Sequence, residues 1–241
     1  MKFISSVPIV TVASLTMSCV PFYYAPNSQN VPMLKEKGEG IVGFAADLGS
    51  KKYGPEFNPA VAISDHIAVT TQLFVCQSNE NILELDLTPS HTGRPELTTI
   101  NEKLNEVGIG YFTKLKNEDF VFELYSGGGT GKIDIENDEQ GSVSSRFYRF
   151  YMQPSLSYIN SQRRKEVSFS ISSRFAQVNY YNLSAGFKED TKDKSSLLLA
   201  EPAFTFVIGP FGKVPLKIRF QHCLSFRLNN FPLYTERHAL S

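Results

Sequence analysis

Apolar and polar residues alternate along most of the chain from Glu39 onward. The most regular run is Leu216–Leu228, where every even-numbered residue except His222 is apolar and most odd-numbered residues are polar. Tyr148–Tyr158 and Glu166–Phe175 alternate in the same way. Because successive side chains of a β-strand point to opposite faces, each run predicts a strand with one apolar and one polar side.

Less regular alternation predicts further strands, and helical periodicity is nearly absent. A short helix within a loop fits only Leu97–Leu104. The pattern predicts an all-β fold, a single antiparallel up-and-down barrel of about ten strands. Merging Glu56–Val75 into one strand and omitting the last gives eight strands as the alternative. The less regular strands are Gly40–Gly49, Glu56–Ile63, Ile67–Val75, Glu106–Leu115, Phe120–Ser126, Leu198–Gly209 and Phe231–Leu240.

The predicted connections differ in length. Tight turns with turn-forming residues are Ser64–His66, Lys116–Asp119, Asn160–Lys165 and Pro210–Lys213. Long polar loops are Cys76–Asn105, Gly127–Ser145 and Tyr181–Leu197. In a ten-strand meander, the tight turns and both termini lie at one end, and the long loops lie at the other. Outer-membrane barrels have this arrangement, with short periplasmic turns and longer external loops.

The polar faces of these strands carry both signs of charge, and Arg outnumbers Lys. Arg forms planar pairs with carboxylates that suit a site without water. The apolar faces are rich in Phe, Leu, Ile and Tyr, with aromatic residues near segment ends, as in the interfacial girdles of membrane barrels. We therefore predict a transmembrane barrel with its apolar side toward lipid; the alternative is a soluble barrel with an ordinary Phe/Leu core. The charged residues are Glu56, Glu123, Arg149, Glu166, Arg174, Glu201, Lys217, Arg219 and Arg227.

A ten-stranded barrel has a narrow lumen, because barrel diameter grows with strand number. Matched Glu and Arg side chains would fill it with ion pairs, so we predict a plugged barrel rather than an open pore. The predicted lumen ion-pair residues are Glu123, Arg149, Glu166, Arg174, Glu201, Arg219 and Arg227.

Composition narrows the class of protein further. The chain has 241 residues, of which 41% are hydrophobic and 20% charged, which excludes disordered, collagenous and coiled-coil classes. Lys+Arg and Asp+Glu number 24 each, so no nucleic-acid partner is predicted. Three cysteines do not make a disulfide scaffold.

The N-terminus has the features of an export signal. Lys2 precedes the apolar run Phe3–Leu15, which is too short to span a bilayer as a helix, so residues 1–18 are predicted to be a signal peptide. The run Leu15–Cys19 resembles a bacterial lipobox, which implies cleavage before Cys19 and acylation of its sulfur and new amino group. Thr16 and Met17 depart from the usual pattern, and an ordinary cleaved signal with an incidental Cys19 is the alternative.

Residues 19–38 lack any periodicity and contain Pro, Asn and Gly, so they are predicted to form an extended tether, followed by a barrel over residues 39–241. No acidic cluster follows Cys19. In lipoproteins of Bacteroidota such a cluster tends to mark surface export, so we expect the anchor on the periplasmic side of the outer membrane.

Several short segments distributed over residues 19–241 carry a resemblance to a known family: Cys19, Tyr24–Asn27, Lys35–Glu39, Asp65–Ile67, Glu123–Gly131 and Gln153–Ser155. With them the chain resembles the small outer-membrane β-barrel proteins of Bacteroidota, which often carry lipoprotein-type signals. The resemblance implies a location and a fold but no chemistry, because members generally lack an assigned activity. Such barrels usually end in an aromatic residue, whereas this chain stops at Ala239-Leu240-Ser241, so we expect a short last strand or a truncated sequence.

Candidate catalytic and ligand-binding motifs are weak. Gly127–Lys132 lacks the spacing and final Ser/Thr of a phosphate-binding loop, so a flexible rim loop is expected there. None of the four His has metal-ligand spacing, and neither a metal nor a cofactor is predicted. His91, near Glu84 and Asp86 in the longest predicted loop, is the best candidate for a rim hydrolase because ten-stranded outer-membrane proteases use Asp and His there.

Three functions follow from these observations. The first is a non-enzymatic outer-membrane barrel that contacts lipid and serves as a structural component or binds a protein partner through its long loops. The second is a lipid-anchored periplasmic barrel that binds a small hydrophobic ligand. The third is an outer-membrane hydrolase that uses His91.

Overall fold

The computed structural model describes residues 27–47, 52–82, 96–116, 119–137, 141–162, 165–181, 196–209 and 217–229. Ten strand segments account for most of these residues: β1 (Gly40–Asp47), β2 (Lys52–Ala62), β3 (Ile67–Ile82), β4 (Glu96–Lys114), β5 (Phe120–Asn137), β6 (Gly141–Gln162), β7 (Lys165–Tyr181), β8 (Ser196–Gly209), β9 (Ile218–Cys223) and β10 (Phe226–Arg227). A search of the described residues for a helix long and apolar enough to cross a membrane finds none.

The strands form one curled antiparallel sheet in sequence order. From β1 to β8 each strand pairs with the next along the chain. The prediction of an all-β, up-and-down antiparallel fold is confirmed. Because the sheet curls into half a barrel, it has a concave inner face and a convex outer face.

The segments β9 and β10 are two parts of one ninth strand. Both pair with β8, and the pairs Ala203 with Cys223 and Ala200 with Phe226 belong to the same register. Leu224 continues the ladder between them, because its N–H donates to the carbonyl of Pro202 at 2.9 Å. The predicted tenth strand, Phe231–Leu240, lies outside the described residues.

The two ends of the sheet carry different connections. At one end, called the turn end, β2–β3, β4–β5, β6–β7 and β8–β9 are joined through residues 63–66, 115–119, 163–164 and 210–217. At the other, called the loop end, the connections are residues 48–51, 83–95, 138–140 and 182–195. The two longest connections are at the loop end, as predicted.

Three predictions about local structure are wrong. Gly127–Ser145 is not a long loop, because β5 and β6 continue through most of it and leave only residues 138–140 as the connection. The loop predicted over Cys76–Asn105 is reduced to residues 83–95, because β3 continues to Ile82 and β4 begins at Glu96. Leu97–Leu104 is not a helix but part of β4. The physical reason is a reversal of polarity along the strands, described below.

The buried apolar residues lie on the inner face in three clusters. One, near the loop end, is called the upper cluster and consists of Phe74, Cys76, Ile100, Leu104, Ile133, Ile135, Phe147, Ala176, Val178, Tyr180, Leu197 and Leu199. Two smaller ones, near the turn end, are called the lower clusters and consist of Val31, Met33, Val121, Ile159 and Val207, and of Leu34, Ala62, Ala68, Phe112 and Tyr125. Polar and charged side chains fill the inner face between these levels.

Candidate functional site

Large apolar side chains cover the outer face in a continuous band. Phe44 is 81% exposed, Ile171 68% and Phe220 60%. A soluble monomer rarely exposes a contiguous apolar patch of more than a few hundred Å², whereas this band runs across the whole sheet. It is called the outer belt and includes Val42, Phe44, Leu73, Val75, Val107, Ile109, Tyr111, Leu124, Phe150, Met152, Leu156, Phe169, Ile171, Phe175, Phe204, Phe220 and Phe226.

The height of the outer belt can be read from β6. Its outer side chains from Tyr148 to Tyr158 are all uncharged, with Arg146 beyond one end and Asn160 beyond the other. Ten residue steps at about 3.3 Å each span about 33 Å along a strand. At the tilt of about 40° typical of membrane barrels, this corresponds to about 25 Å, the height of their apolar band. A tyrosine lies at each edge, where such barrels place aromatic girdles.

Toward the loop end the polarity of the two faces reverses within single strands. In β4, Val107 and Ile109 point outward and Glu106 is buried, but a few residues away Leu104 is buried and Lys103 is exposed. The same reversal occurs in β5, β6 and β7. There the inner face becomes apolar at Ile133, Ile135, Phe147 and Val178, and the outer face becomes polar at Lys132, Asp134, Glu136, Arg146, Gln177 and Asn179. The outer belt therefore has a defined upper edge, beyond which the sheet has the polarity of an ordinary soluble protein.

Two arginine–glutamate pairs lie on the inner face at the level of the outer belt. Arg149 donates Nε to Oε1 of Glu106 at 2.6 Å, and its Nη2 contacts Oε2 of the same carboxylate. Arg174 donates Nε to Oε2 of Glu201 at 2.6 Å, from directly paired positions on β7 and β8. All four residues are at most 3% exposed. Such pairing offsets the large cost of removing charges from water.

Asn27 joins the two pairs. Its side-chain oxygen accepts from Nη1 of Arg149 at 2.9 Å and from Nη2 of Arg174 at 2.8 Å. Its backbone carbonyl accepts from Arg174 at 3.0 Å. The result is a continuous polar layer, Glu106–Arg149–Asn27–Arg174–Glu201, across the concave side of the sheet.

Residues 27–34 form an irregular stretch that lies against the inner face and is called the lumen segment. Strand side chains bind its backbone directly. Gln221 accepts from the N–H of Gln29 at 2.6 Å, and Gln153 donates to the carbonyl of Asn30 at 2.9 Å. Val31, Met33 and Leu34 of the segment belong to the lower clusters. The segment lies within the predicted tether over 19–38, so this part of the tether packs inside the sheet instead of extending from it.

Glu123 and Arg219 hold the end of the lumen segment nearest the turn end. The carboxylate of Glu123 is fully buried and accepts from the N–H groups of Met33 at 3.2 Å and Leu34 at 3.3 Å. Arg219 donates to the carbonyl of Val31 at 2.8 Å. Both side chains therefore bind this segment of the chain and are not arranged as a simple pair.

The predicted lumen residues have different environments. Arg174 and Glu201 form a buried pair, Arg149 pairs with Glu106 instead of a predicted partner, Glu123 is buried, and Arg219 is partly buried. Arg227 is exposed on β10. The structure describes the backbone of Glu166 but not its side chain. Cys19 and the predicted loop residue His91 lie outside the described residues.

Sequence reasoning missed Glu106, Asn27 and the rest of the lumen segment. The signal for Glu106 was present, because it shares a face with Gly108 and Gly110, opposite the apolar Val107 and Ile109. No comparable pattern marks the lumen segment, whose backbone rather than its side chains makes many of the contacts.

The glycine run Gly127–Gly131 is part of strand β5 and not the flexible rim loop that was expected. A side chain at Gly131 would collide with the ring of Phe147, and one at Gly127 with the carbonyl of Val107. The glycines therefore make room for aromatic rings and neighbouring backbone on the inner face, which explains the run without a phosphate ligand.

The β5–β6 hairpin continues beyond the outer belt at the loop end. Its outer face carries an exposed ion pair, with Nζ of Lys132 2.8 Å from Oδ2 of Asp134. Burial alone raises the pKa of Asp134, but hydrogen bonds from Lys132 and Ser144 and the nearby charge of Lys103 lower it overall. The hairpin therefore presents a polar, charged surface to water.

Among the described residues, no group of three or more His, Cys, Asp or Glu side chains is placed to hold a metal ion. His66, at the turn end, has its Nδ1 3.1 Å from the carbonyl of Phe112 and stacks on Tyr111. His222 is exposed on the outer face of β9. His66 lies at the turn end and His222 lies on the outer face of the sheet, so these two histidines do not form a catalytic group. Comparison with protein-family models, with curated proteins and with solved structures found no match to this chain.

Proposed function

We propose that this protein is a non-enzymatic outer-membrane β-barrel with a plugged lumen. The observation that carries the proposal is the combination of an apolar outer belt with buried arginine–glutamate pairs at the same level. It serves as a structural component, or binds a protein partner, at its loop end. Acylation of Cys19 would add a lipid anchor.

The energetics favour lipid as the solvent of the outer belt. Moving one Val, Leu, Ile, Phe or Met side chain from water into an apolar environment stabilises by about 1.5–3 kcal/mol, and the belt holds more than a dozen such side chains. Its height of about 25 Å matches the apolar band of membrane barrels. The reversal of polarity beyond Arg146 and Lys132 supports the same placement, because it puts charges where the bilayer would end.

A closed lumen is supported by what fills it. The polar layer around Asn27 lies between the upper cluster and the lower clusters, and the rest of the lumen segment packs on its turn-end side. The upper cluster is apolar and would not carry ions. We therefore expect no steady ion conductance, and no passage of solutes.

The loop end is the surface we assign to a partner. There the β5–β6 hairpin and the ends of β3, β4 and β7 extend beyond the outer belt. Placing the short connections in the periplasm and this end outside follows the arrangement common to bacterial barrels.

Detergent dependence and heat modifiability test the proposal. Cys19→Ala, expressed behind an ordinary cleavable signal peptide, separates a membrane barrel from a soluble barrel held only by its lipid. We expect this variant to stay in the outer-membrane fraction, to require detergent for extraction, and to migrate faster on gels when unheated. Release of the folded variant into buffer would contradict the proposal and favour the anchored soluble barrel.

A further inference from the structure

Three cations lie side by side on the outer face, just beyond the upper edge of the outer belt. Lys103 of β4 is directly paired with Lys132 of β5, and Lys132 is directly paired with Arg146 of β6. All three residues are exposed, and together they are called the cation row. Because neighbouring strands are about 4.8 Å apart, the cation row spans about 10 Å.

The cation row is short of negative charge. Like charges directly opposite each other on neighbouring strands destabilise a sheet. Lys132 forms an ion pair with Asp134, whereas neither Lys103 nor Arg146 forms one within the part of the chain that the structure describes. The charge of Lys103 also acts on Asp134, but one carboxylate cannot neutralise three cations. An anion bound across the row would relieve the repulsion.

The cation row is the first charged level beyond the outer belt. Toward the loop end, the outer residues of β5 are Thr130, Lys132, Asp134 and Glu136 in that order. The two acids therefore lie about 7 Å and about 13 Å farther along the strand than Lys132. An anion at the edge of the outer belt meets the cations before it meets the acids.

The depth of the cation row suits a lipid headgroup. Arg146 lies two residues beyond Tyr148, which marks the edge of the outer belt on β6. This is about 7 Å along the strand, or about 5 Å along the axis of a barrel with strands tilted by about 40°. The headgroup layer of a bilayer extends about 5–7 Å beyond the hydrocarbon core. Long Lys and Arg side chains can bring their charged ends to this layer.

A groove joins the cation row to the outer belt. It has a volume of about 540 Å³, and its lining includes Lys103, Lys132 and, from the outer belt, Val75. Asp134 and Glu136 line it as well. A headgroup in this groove would keep its acyl chains in continuous contact with the outer belt.

We propose that the cation row binds the phosphate of an anionic lipid headgroup in the leaflet at the loop end. The inference rests on the proposed function, because a soluble barrel has no lipid at this level. Charge complementarity and continuity with the outer belt favour a lipid over a soluble phosphate. On the same three strands at the turn end, the paired outer residues Thr113, Phe122 and Leu156 are uncharged, so the site belongs to one leaflet.

Lipid-selective quenching of a single tryptophan tests the inference in the full-length protein, which has no tryptophan of its own. The reporter is Tyr148→Trp, two residues from Arg146, in vesicles of phosphatidylcholine. A small fraction of the lipid carries brominated chains and is either phosphatidylglycerol or phosphatidylcholine. Both lipids are present in both leaflets, so the direction of insertion does not matter. We expect the anionic lipid to be enriched about fivefold near the reporter, because each cation near the surface attracts anionic lipid by about that factor.

Two comparisons isolate the cation row. Lys103→Gln combined with Arg146→Gln leaves Lys132 with its partner Asp134, so we expect the enrichment near Tyr148→Trp to disappear. The matched control, Lys114→Gln combined with Lys116→Gln, removes the same charge from exposed positions at the turn end and should keep it.

A second reporter, Phe44→Trp, lies in the outer belt on β1, five strands from β6, and should show equal quenching by the two brominated lipids.

The outcomes separate this inference from the proposed function. If brominated phosphatidylcholine quenches neither reporter, the outer belt does not face lipid, and both fail. If it quenches both reporters but Tyr148→Trp shows no preference for the anionic lipid, or keeps that preference in the Lys103/Arg146 double variant, the proposed function stands and the inference is overturned. A response of Tyr148→Trp to inorganic phosphate without a preference for the anionic lipid would assign the row to a soluble phosphate and would also overturn it.

Discussion

Arg174 and Glu201 occupy paired positions on neighbouring strands, and each is at most 1% exposed, so neither charge has water as an alternative partner. At the scale of single residues, the inner face depends on such matched groups. Removing one partner of a buried pair leaves an uncompensated buried charge. Replacing both partners by apolar residues leaves no buried charge at all.

Arg174→Met should therefore lower the free energy of unfolding by about 3–5 kcal/mol, and adding Glu201→Met should recover most of the loss. Urea unfolding of the detergent-solubilised protein measures both. The control is Lys132→Met, which breaks the exposed pair with Asp134 and should cost about 0–1 kcal/mol. If the double variant is as unstable as Arg174→Met alone, Arg174 and Glu201 do not stabilise the protein as a pair.

Gly110 tests the close packing of the inner face. A Cβ at this position would overlap the ring of Tyr125, whereas a Cβ at Gly40 would meet only the carbonyl of Ala60 at 3.7 Å. Overpacking costs about 1–3 kcal/mol, so Gly110→Ala should be destabilised by about that amount and Gly40→Ala by much less. The same urea titration compares them, and equal stabilities would argue against the ring lying over Gly110.

At the scale of elements, each long strand has two halves of opposite polarity. The strands predicted from alternation end at Val75, Ser126 and Phe175 and begin at Glu106 and Tyr148, close to the places where the polarity reverses. Where the apolar side chains change from the outer face to the inner face, the strand continues, but the alternation of apolar and polar residues in the sequence is interrupted. Because that alternation is what predicts a strand, the prediction stops there. The part of each strand inside the outer belt could thus be predicted, and the part beyond it could not.

The two halves of β7 should respond differently to one substitution. Ile171 and Asn179 both lie on its outer face, one in the outer belt and one beyond it. A charge at the bilayer midplane costs a membrane barrel about 2–4 kcal/mol and near the interface about 0–1 kcal/mol. Ile171→Arg should therefore impair folding into lipid vesicles, and Asn179→Arg should not; equal, small effects would indicate that the outer face meets water.

At the scale of the whole molecule, the sheet is built around its own N-terminal segment. Alternation predicted the sheet order and the inward direction of Arg149, Arg174 and Glu201, because strand geometry links sequence period to face. It did not predict that residues 27–34 lie inside, since polar and apolar groups in a nonperiodic stretch carry no directional signal. The partner of Arg149 was missed because strand alternation places residues on a face and leaves open which of them meet.

The central claim is that the outer belt faces lipid, and the absence of tryptophan from the chain makes a direct measurement simple. Ile171→Trp and Asn179→Trp each introduce one fluorophore, one in the outer belt and one beyond it. In vesicles that contain brominated lipid chains, we predict strong quenching of Ile171→Trp and weak quenching of Asn179→Trp, with the reverse order for aqueous iodide. Quenching of Ile171→Trp by iodide and not by brominated lipid would contradict the account.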